Sequence, residues 1–226
     1  MTIRDRVKAL PLVGPTATSV RRLIAKQRFP GSSEYWERRY SDGGNSGAGS
    51  YGQTARFKAD TLNALVANHG IQSVIEFGCG DGAQLELAEY PAYTGLDVSR
   101  TAVQRCMKRF SGDVTKSFIW YDPAAFRNHG ALVAEVAISL DVVLHLVEDD
   151  VLHAYLHEMS NAATRSLIFF TEDQKPQPAG SPHVRYRNVA DWIARLDGWT
   201  LVETVNNPAK GLESQADFFV FGRSGQ

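Results

Sequence analysis

The stretch VIEFGCGDG, residues 74–82, decides the fold, because a short apolar strand runs directly into three closely spaced glycines. Glycine permits a sharp turn and lets a ligand approach the backbone closely. The following segment, Ala83–Tyr90, has the pattern of a helix, whose first N–H groups would be free to bind a ligand. The stretch therefore predicts a strand–turn–helix unit with a ligand site at the turn.

Two carboxylates indicate which ligand the turn binds. Asp97 follows Gly78 by nineteen residues, at the end of the next strand, where it can accept both ribose hydroxyls of an adenosine. The glycines follow G-x-G-x-G rather than the G-x-G-x-x-G of dinucleotide sites. Glu76 would repel a pyrophosphate but suits an ammonium and a sulfonium. We therefore expect S-adenosylmethionine, bound around Glu76, Gly78, Cys79, Gly80 and Asp97; a tight turn without a ligand is the alternative.

Strand and helix patterns alternate along the rest of the chain. Helices are predicted over Gln53–Asn68, Ala83–Tyr90, Thr101–Phe110, Asp149–Ser160 and Val189–Leu196. Strands are predicted over Val74–Phe77, Tyr93–Leu96, Ser117–Tyr121, Val133–Leu140, Ser166–Phe170, Trp199–Val205 and Asp217–Phe221. This order predicts an α/β, Rossmann-like, mostly parallel seven-stranded sheet with an antiparallel edge hairpin and helices on both faces. Residues 1–52 are expected to add an N-terminal helical cap and a glycine-rich lid, and residues 53–226 to form the ligand-binding domain.

Composition and charge narrow the class of protein. The chain of 226 residues has a net charge of −1 and two cysteines without a CxxC pair. No apolar run approaches the ~20 residues of a membrane span. These features predict a reduced, cytoplasmic protein that binds neither nucleic acid nor a membrane. Residues 1–29 carry seven cations against Asp5 alone, a local charge of +6; a solvated cap is favoured over a docking segment.

The motifs in chain order resemble those of class I S-adenosylmethionine-dependent methyltransferases. The resemblance begins with residues 74–85 and 93–97 and continues through residues 120–122 and 138–146. It implies that Asp122 contacts the adenine amino group and that Val98 and Leu140 also border the donor. Residues 34–36, 44–52, 140–149 and 182–187 resemble small bacterial methyltransferases of glycan synthesis, those of methylmannose polysaccharide among them. That resemblance implies transfer of a methyl group to a hydroxyl of a sugar or oligosaccharide.

His145 is the candidate general base, because imidazole titrates in the neutral range and this residue follows the fourth strand. A structural histidine is the alternative. Asp141 could orient the imidazole or act as the base itself. Asp141 and Glu172 are also candidate ligands for Mg²⁺, which would lower the pKa of an acceptor hydroxyl.

Two further segments are candidates for acceptor binding and closure. His183, Arg185 and Arg187 would share one face of an extended segment, with Tyr186 as an aromatic surface for a sugar; an ordinary basic edge is the alternative. The loop 43–52 is expected to close over the donor, with Tyr51 as a contact. Assembly of the protein as a homodimer stays an open alternative.

The sequence also bears on alternative functions. The polar-Pro-Pro-aromatic marker of base-modifying methyltransferases is absent, because residues 139–142 read SLDV. A methyltransferase for another small molecule and a non-catalytic adenosyl-binding protein remain as alternatives. The glycine spacing disfavours a dehydrogenase.

Overall fold

The computed structural model describes residues 29–174, 180–193, 195–208, 210–211 and 214–224. The helices are α1 (Ser32–Ser41), α2 (Gly52–Asn68), α3 (Arg100–Arg109), α4 (Asp149–Ala162) and α5 (Val189–Ile193). The strands are β1 (Val74–Phe77), β2 (Tyr93–Asp97), β3 (Lys116–Trp120), β4 (Ala134–Leu140), β5 (Ala163–Thr171), β6 (Trp199–Val205) and β7 (Asp217–Arg223). Short 3₁₀ turns cover Ala48–Ser50, Leu85–Leu87 and Val143–His145.

The seven strands form one sheet in the order β3-β2-β1-β4-β5-β7-β6. The first five strands along the chain pair in parallel, whereas β7 pairs antiparallel with both β5 and β6. From β1 the strand order runs to one side of the sheet through β2 and β3, and β4 then starts the other side. Ligands in such folds bind at this switch point between β1 and β4. The predicted fold class is confirmed.

Apolar side chains cover both faces of the sheet. Successive residues of a strand point to opposite faces, so Phe169 joins the cluster that contains α4, and Phe170 joins the cluster that contains α2. All residues of β1 are buried, as expected for a strand covered on both sides. This core holds the ends of β1, β2 and β4 in place around a shared site.

The helix α1 crosses the carboxyl ends of these strands. At its start, the Ser32 N–H donates to Glu148 over 3.0 Å. Further along, Glu37 accepts hydrogen bonds from the hydroxyls of Ser99 and Thr101, which begin α3. The helix is therefore bound both to the loop after β4 and to the loop after β2. The rest of the predicted cap, residues 1–28, lies outside the described residues.

The prediction of a helix over Ala83–Tyr90 is wrong. Only Leu85–Leu87 form a 3₁₀ turn, and the chain is extended at Ala88. The side chain of Asn63 in α2 donates to the carbonyl of Leu87 and accepts from the N–H of Glu89, each over 2.9 Å. These backbone groups therefore bond to α2 instead of to a helix of their own.

The strands predicted over Val74–Phe77 and Trp199–Val205 are found with those bounds, and the other predicted helices and strands are found with shifted ends. The helix predicted over Val189–Leu196 is described as a helix only to Ile193. None of the helices in the described part of the chain is both long and apolar enough to cross a bilayer.

Candidate active site

A cavity of about 770 Å³ opens at the carboxyl ends of β1, β2 and β4, below α1. It is lined by Ser32, Ser33, Trp36, Tyr40, Ser46, Ser50, Lys58, Glu76, Gly78, Cys79, Gly80, Gln84, Asp97, Val98, Tyr121, Pro123, Leu140, Asp141, Val142, His145, Leu146 and Val151. The cavity thus combines the glycine turn and both of its predicted carboxylates with the candidate bases after β4.

The glycine turn is shaped by the side chains packed around it. Gly78 and Gly80 have φ values of +87° and +57°, which favour glycine. A Cβ at Gly78 would lie 2.4 Å from Val142, and one at Gly80 would lie 2.3 Å from the Ser46 hydroxyl oxygen. The chain therefore needs glycine at both positions for its backbone angles and for space.

The two carboxylates at the turn are buried. Glu76 accepts a hydrogen bond from the hydroxyl of Tyr93 over 2.6 Å, and burial raises its pKa to about 7. Asp97 accepts from the N–H groups of Gly80 and Ser99, each over 2.8 Å. Burial raises the pKa of Asp97 to about 6 despite these bonds. A cationic or hydroxyl-bearing ligand would favour the ionised form of both groups.

His145 is held in one tautomer. Its Nδ1 lies 3.0 Å from the carbonyl oxygen of His183, and a carbonyl can only accept. In the neutral ring Nδ1 therefore carries the proton and Nε2 is free to accept one. Burial lowers the pKa of His145 to about 4, below the neutral range expected from the sequence, so the ring is neutral at physiological pH. The ring also meets Trp36 edge-on at 5.0 Å.

Asp141 pairs with a buried lysine. Its Oδ2 lies 2.8 Å from Nζ of Lys58, whose side chain is 1% exposed. The backbone of Asp141 has a φ of +59°, an uncommon conformation for aspartate that is often found at functional sites. The position directly after β4 thus carries both local strain and a buried ion pair.

The predicted Mg²⁺ site is not supported. Within the described ranges, no group of three or more His, Cys, Asp or Glu side chains could hold a metal ion. Asp141 is occupied by Lys58, and Glu172 accepts a hydrogen bond from the amide of Gln174. Burial, with the nearby charge of Asp141, raises the pKa of Glu172. The described residues therefore offer no complete set of Mg²⁺ ligands.

None of the four predicted acceptor residues lines the large cavity. Arg185 and Arg187 both pair with Asp149, and Arg187 also donates to the carbonyls of Leu146 and Val147. Their guanidinium groups therefore stabilise the loop after β4. Together with Glu172 they line a separate, smaller cavity beyond the turn Val143–His145.

His183 and Tyr186 also lie outside the lining of the large cavity. His183 stacks between Tyr35, at 4.4 Å, and His145, at 5.4 Å. It therefore lies against the candidate base. Tyr186 is half-buried, and burial raises the pKa of its hydroxyl.

Two predicted donor contacts do not reach the cavity. Tyr51 is 42% exposed, and its hydroxyl donates to Asp81 over 3.4 Å. Asp122 is exposed and accepts from the N–H of Ala124 over 2.9 Å. Of the glycine-rich segment, Ser46 and Ser50 reach the cavity instead. Cys79, Val98 and Leu140 lie in the cavity wall.

The sequence reasoning missed Lys58, Gln84 and Trp36. A signal existed for Lys58, because it shares one face of α2 with Leu62 and Leu65 at helical spacing. A lysine on an apolar face is almost never buried without a partner. Trp36 and Gln84 carry no comparable pattern, since their positions depend on how distant segments pack.

The cavity fits an adenosyl ligand in three respects. The glycines bring backbone to its wall, Asp97 offers a carboxylate at the end of β2, and Glu76 offers a second at the turn. In addition, Oε1 of Gln84 is buried and has no hydrogen-bond partner among the described residues. An acceptor atom in this state indicates a missing donor.

Comparison with known proteins defines the class of fold. No protein-family sequence model matches the chain, and no curated protein sequence matches it significantly. Solved structures do match, and their fold is that of class I S-adenosylmethionine-dependent methyltransferases.

Three of these structures illustrate the similarity. The N-methyltransferase NodS from Bradyrhizobium japonicum WM9, solved with S-adenosylhomocysteine, is 18% identical, with a TM-score of 0.64 over 85% of this chain and 98% of that one. Magnesium protoporphyrin IX methyltransferase from Synechocystis PCC 6803 is 17% identical, with a TM-score of 0.58 over 90% and 100%. The methyltransferase domain of bacterial CtHen1-C is 17% identical, with a TM-score of 0.60 over 74% and 97%.

Proposed function

We propose that the chain is an S-adenosylmethionine-dependent O-methyltransferase that acts on a hydroxyl of a sugar or oligosaccharide. The observation that carries the proposal is the single cavity that joins Glu76, the glycine turn and Asp97 to His145. The shared fold with structures that contain S-adenosylhomocysteine supports the donor.

The residues of the chain divide the work between donor and acceptor. Asp97 would hold the ribose, and the backbone of the glycine turn would contact the adenosyl group. Glu76 would face the cationic part of the donor. When bound, the donor supplies a methyl group on a sulfonium, which an acceptor oxygen can attack in line. His145 would receive the hydroxyl proton at Nε2, since Nδ1–H is fixed on the carbonyl of His183. Holding the acceptor oxygen, the methyl group and the sulfur in line can lower the barrier by up to ~7–11 kcal/mol.

The sugar acceptor rests on the glycan-methyltransferase resemblance, with methylated mannosides as the first candidates. The end of the cavity near α1 supports it, because the indole of Trp36 lies there edge-on to His145 and Ser33 also lines the cavity. An aromatic ring with nearby hydroxyls suits a sugar ring. An amine is the second candidate acceptor, because the similar structure NodS is described as an N-methyltransferase.

Calorimetry and an acceptor panel test the proposal in two stages. S-adenosylhomocysteine should bind the wild-type protein, and Glu76→Gln and Asp97→Asn should each weaken binding at least about tenfold. Release of S-adenosylhomocysteine should then be measured with mono- and oligosaccharides and with amines, with and without EDTA. Absence of donor binding would refute the methyltransferase, whereas turnover with amines alone would refute only the sugar acceptor.

A further inference from the structure

Arg39 lies on the face of α1 that borders the cavity. Trp36 and Tyr40, which lie three residues before it and one after it, both line the cavity. Residues three and four apart share one face of a helix. The Cζ atom of Arg39 lies 5.5 Å from the centroid of the Trp36 indole, which meets the ring of His145 edge-on at 5.0 Å. A cation and the candidate base therefore lie around one aromatic ring.

The guanidinium group of Arg39 keeps free hydrogen-bond donors. Its Nε donates to the carbonyl of Asn45 over 2.7 Å, which holds the side chain against the glycine-rich loop. Within the described ranges, its two Nη groups take part in no hydrogen bond or ion pair. The residue is half-buried, so it is partly withdrawn from water. A guanidinium in this state can bind a carboxylate or a phosphate through two parallel hydrogen bonds.

The carboxylates of α1 and its neighbouring loop have other partners. Glu34 pairs with Arg38, and Glu37 accepts hydrogen bonds from the hydroxyls that begin α3. Glu148 accepts hydrogen bonds from the first residue of α1. Among the described residues, no carboxylate therefore neutralises the charge of Arg39.

The charge of Arg39 acts on the end of the cavity where the acceptor would bind. Burial is the main cause of the lowered pKa values of His145 and His183, and the positive charge of Arg39 adds to it at both rings. An anion bound to Arg39 would offset this charge. His145 would then be a stronger base with such an acceptor in place than without it.

We propose that Arg39 binds an acidic group of the acceptor, so that the site selects a sugar that carries a carboxylate or a phosphate. The inference rests on the proposed function and narrows its substrate class from sugars in general to acidic sugars. The anion would lie at the rim of the cavity on the guanidinium, with the sugar ring beside Trp36 and a hydroxyl near His145. A neutral sugar has no group of opposite charge for Arg39, so the two kinds of acceptor should differ in affinity.

Matched pairs of sugars test this preference. Methyl glucuronide against methyl glucoside tests the carboxylate, and mannose 6-phosphate against mannose tests the phosphate, with release of S-adenosylhomocysteine as the measurement. For at least one pair, we expect the wild-type protein to favour the acidic member about 10- to 100-fold in kcat/KM, mainly through a lower KM. Arg39→Gln should reduce this preference to less than about threefold. The control Arg56→Gln removes the same charge from an exposed residue of α2 and should keep the wild-type preference.

The other outcomes separate the inference from the proposed function. Equal kcat/KM for both members of both pairs would refute the acidic acceptor and leave the sugar methyltransferase standing. A wild-type preference that Arg39→Gln does not reduce would refute the role of Arg39. If Arg39→Gln does not fold, Arg39→Lys is measured instead and should lower the preference severalfold, because an ammonium cannot bind an anion through a planar fork. Turnover with amines alone would refute the sugar acceptor together with this inference, and absence of donor binding would refute the methyltransferase itself.

Discussion

A general base at neutral pH needs a free ring nitrogen and a neutral ring, and His145 has both, although the burial that keeps the ring neutral also weakens its basicity. The first follows from the carbonyl of His183, and the second from burial, which lowers its pKa to about 4. The sequence identified the residue from its place after β4. It could not show the tautomer, because His183 lies 38 residues further along the chain.

Replacing His145 tests its role directly. We expect His145→Ala to lower kcat by roughly 10²–10⁴-fold, the usual contribution of a general base. Affinity for S-adenosylhomocysteine should stay within about twofold, because the donor is held by other residues. Steady-state kinetics and calorimetry measure the two effects. The control His157→Ala alters a side chain that is 66% exposed and should change neither. Unchanged turnover in His145→Ala would remove the residue from the mechanism.

The glycine turn and the loop 43–52 that covers it are joined by hydrogen bonds into one structural element. Ser46 accepts from the N–H of Asp81 and donates from its hydroxyl to the Asp81 carboxylate, so the loop before α2 is bound over the turn. The strand and the glycines were predictable from a local pattern. The contact by Ser46 joins residues 35 positions apart, and the contacts of Asn63 that replace the missing helix join residues 24 and 26 positions apart. A local sequence pattern cannot predict either.

A methyl group at Gly80 should disturb this element. Its φ of +57° disfavours alanine, and the new Cβ would lie 2.3 Å from the Ser46 hydroxyl oxygen. We expect Gly80→Ala to lower the free energy of unfolding by about 1–3 kcal/mol and to weaken S-adenosylhomocysteine binding. Adding Ser46→Gly should restore part of the loss. The control Gly112→Ala has open space around its Cβ and should be close to neutral. Equal stability of the two alanine variants, by urea unfolding, would contradict the packing described for the turn.

The hydroxyl of Ser32 helps to position the start of α1. The Oγ of Ser32 lies 2.6 Å from the Glu148 carboxylate and accepts from the N–H of Val147 over 3.1 Å. We expect Ser32→Ala to loosen α1 and to raise hydrogen exchange of its amides about tenfold, because the helix loses its side-chain hydrogen bonds to the loop after β4, while the bond from its N–H to Glu148 remains. The control Ser41→Ala removes only an exposed bond to Arg38 within the same helix. Identical exchange in both variants would show that Ser32 does not anchor α1.

At the scale of the whole molecule, the carboxylates of the site should make stability depend on pH. The folded-state pKa of Glu76, about 7, lies above its ordinary value of 4.5. Between these values the folded protein holds a proton that the unfolded chain has released. The stability contributed by protonated Glu76 is therefore complete below about pH 4.5 and is lost as the pH rises through 7.

Glu76→Gln should remove this loss, because the amide cannot ionise and can still accept from Tyr93. Between pH 4.5 and 8, the free energy of unfolding of the variant should therefore rise relative to the wild type by on the order of 3 kcal/mol. Urea unfolding across this range measures the difference. Glu135→Gln is the control: hydrogen bonds from Gln72 and Arg165 lower the pKa of Glu135, so its contribution to stability changes mainly below about pH 4.5, and this variant should differ from the wild type by a nearly constant amount across the range. If the difference in the free energy of unfolding between Glu76→Gln and the wild type does not depend on pH, Glu76 is already ionised in the folded protein without a cationic ligand.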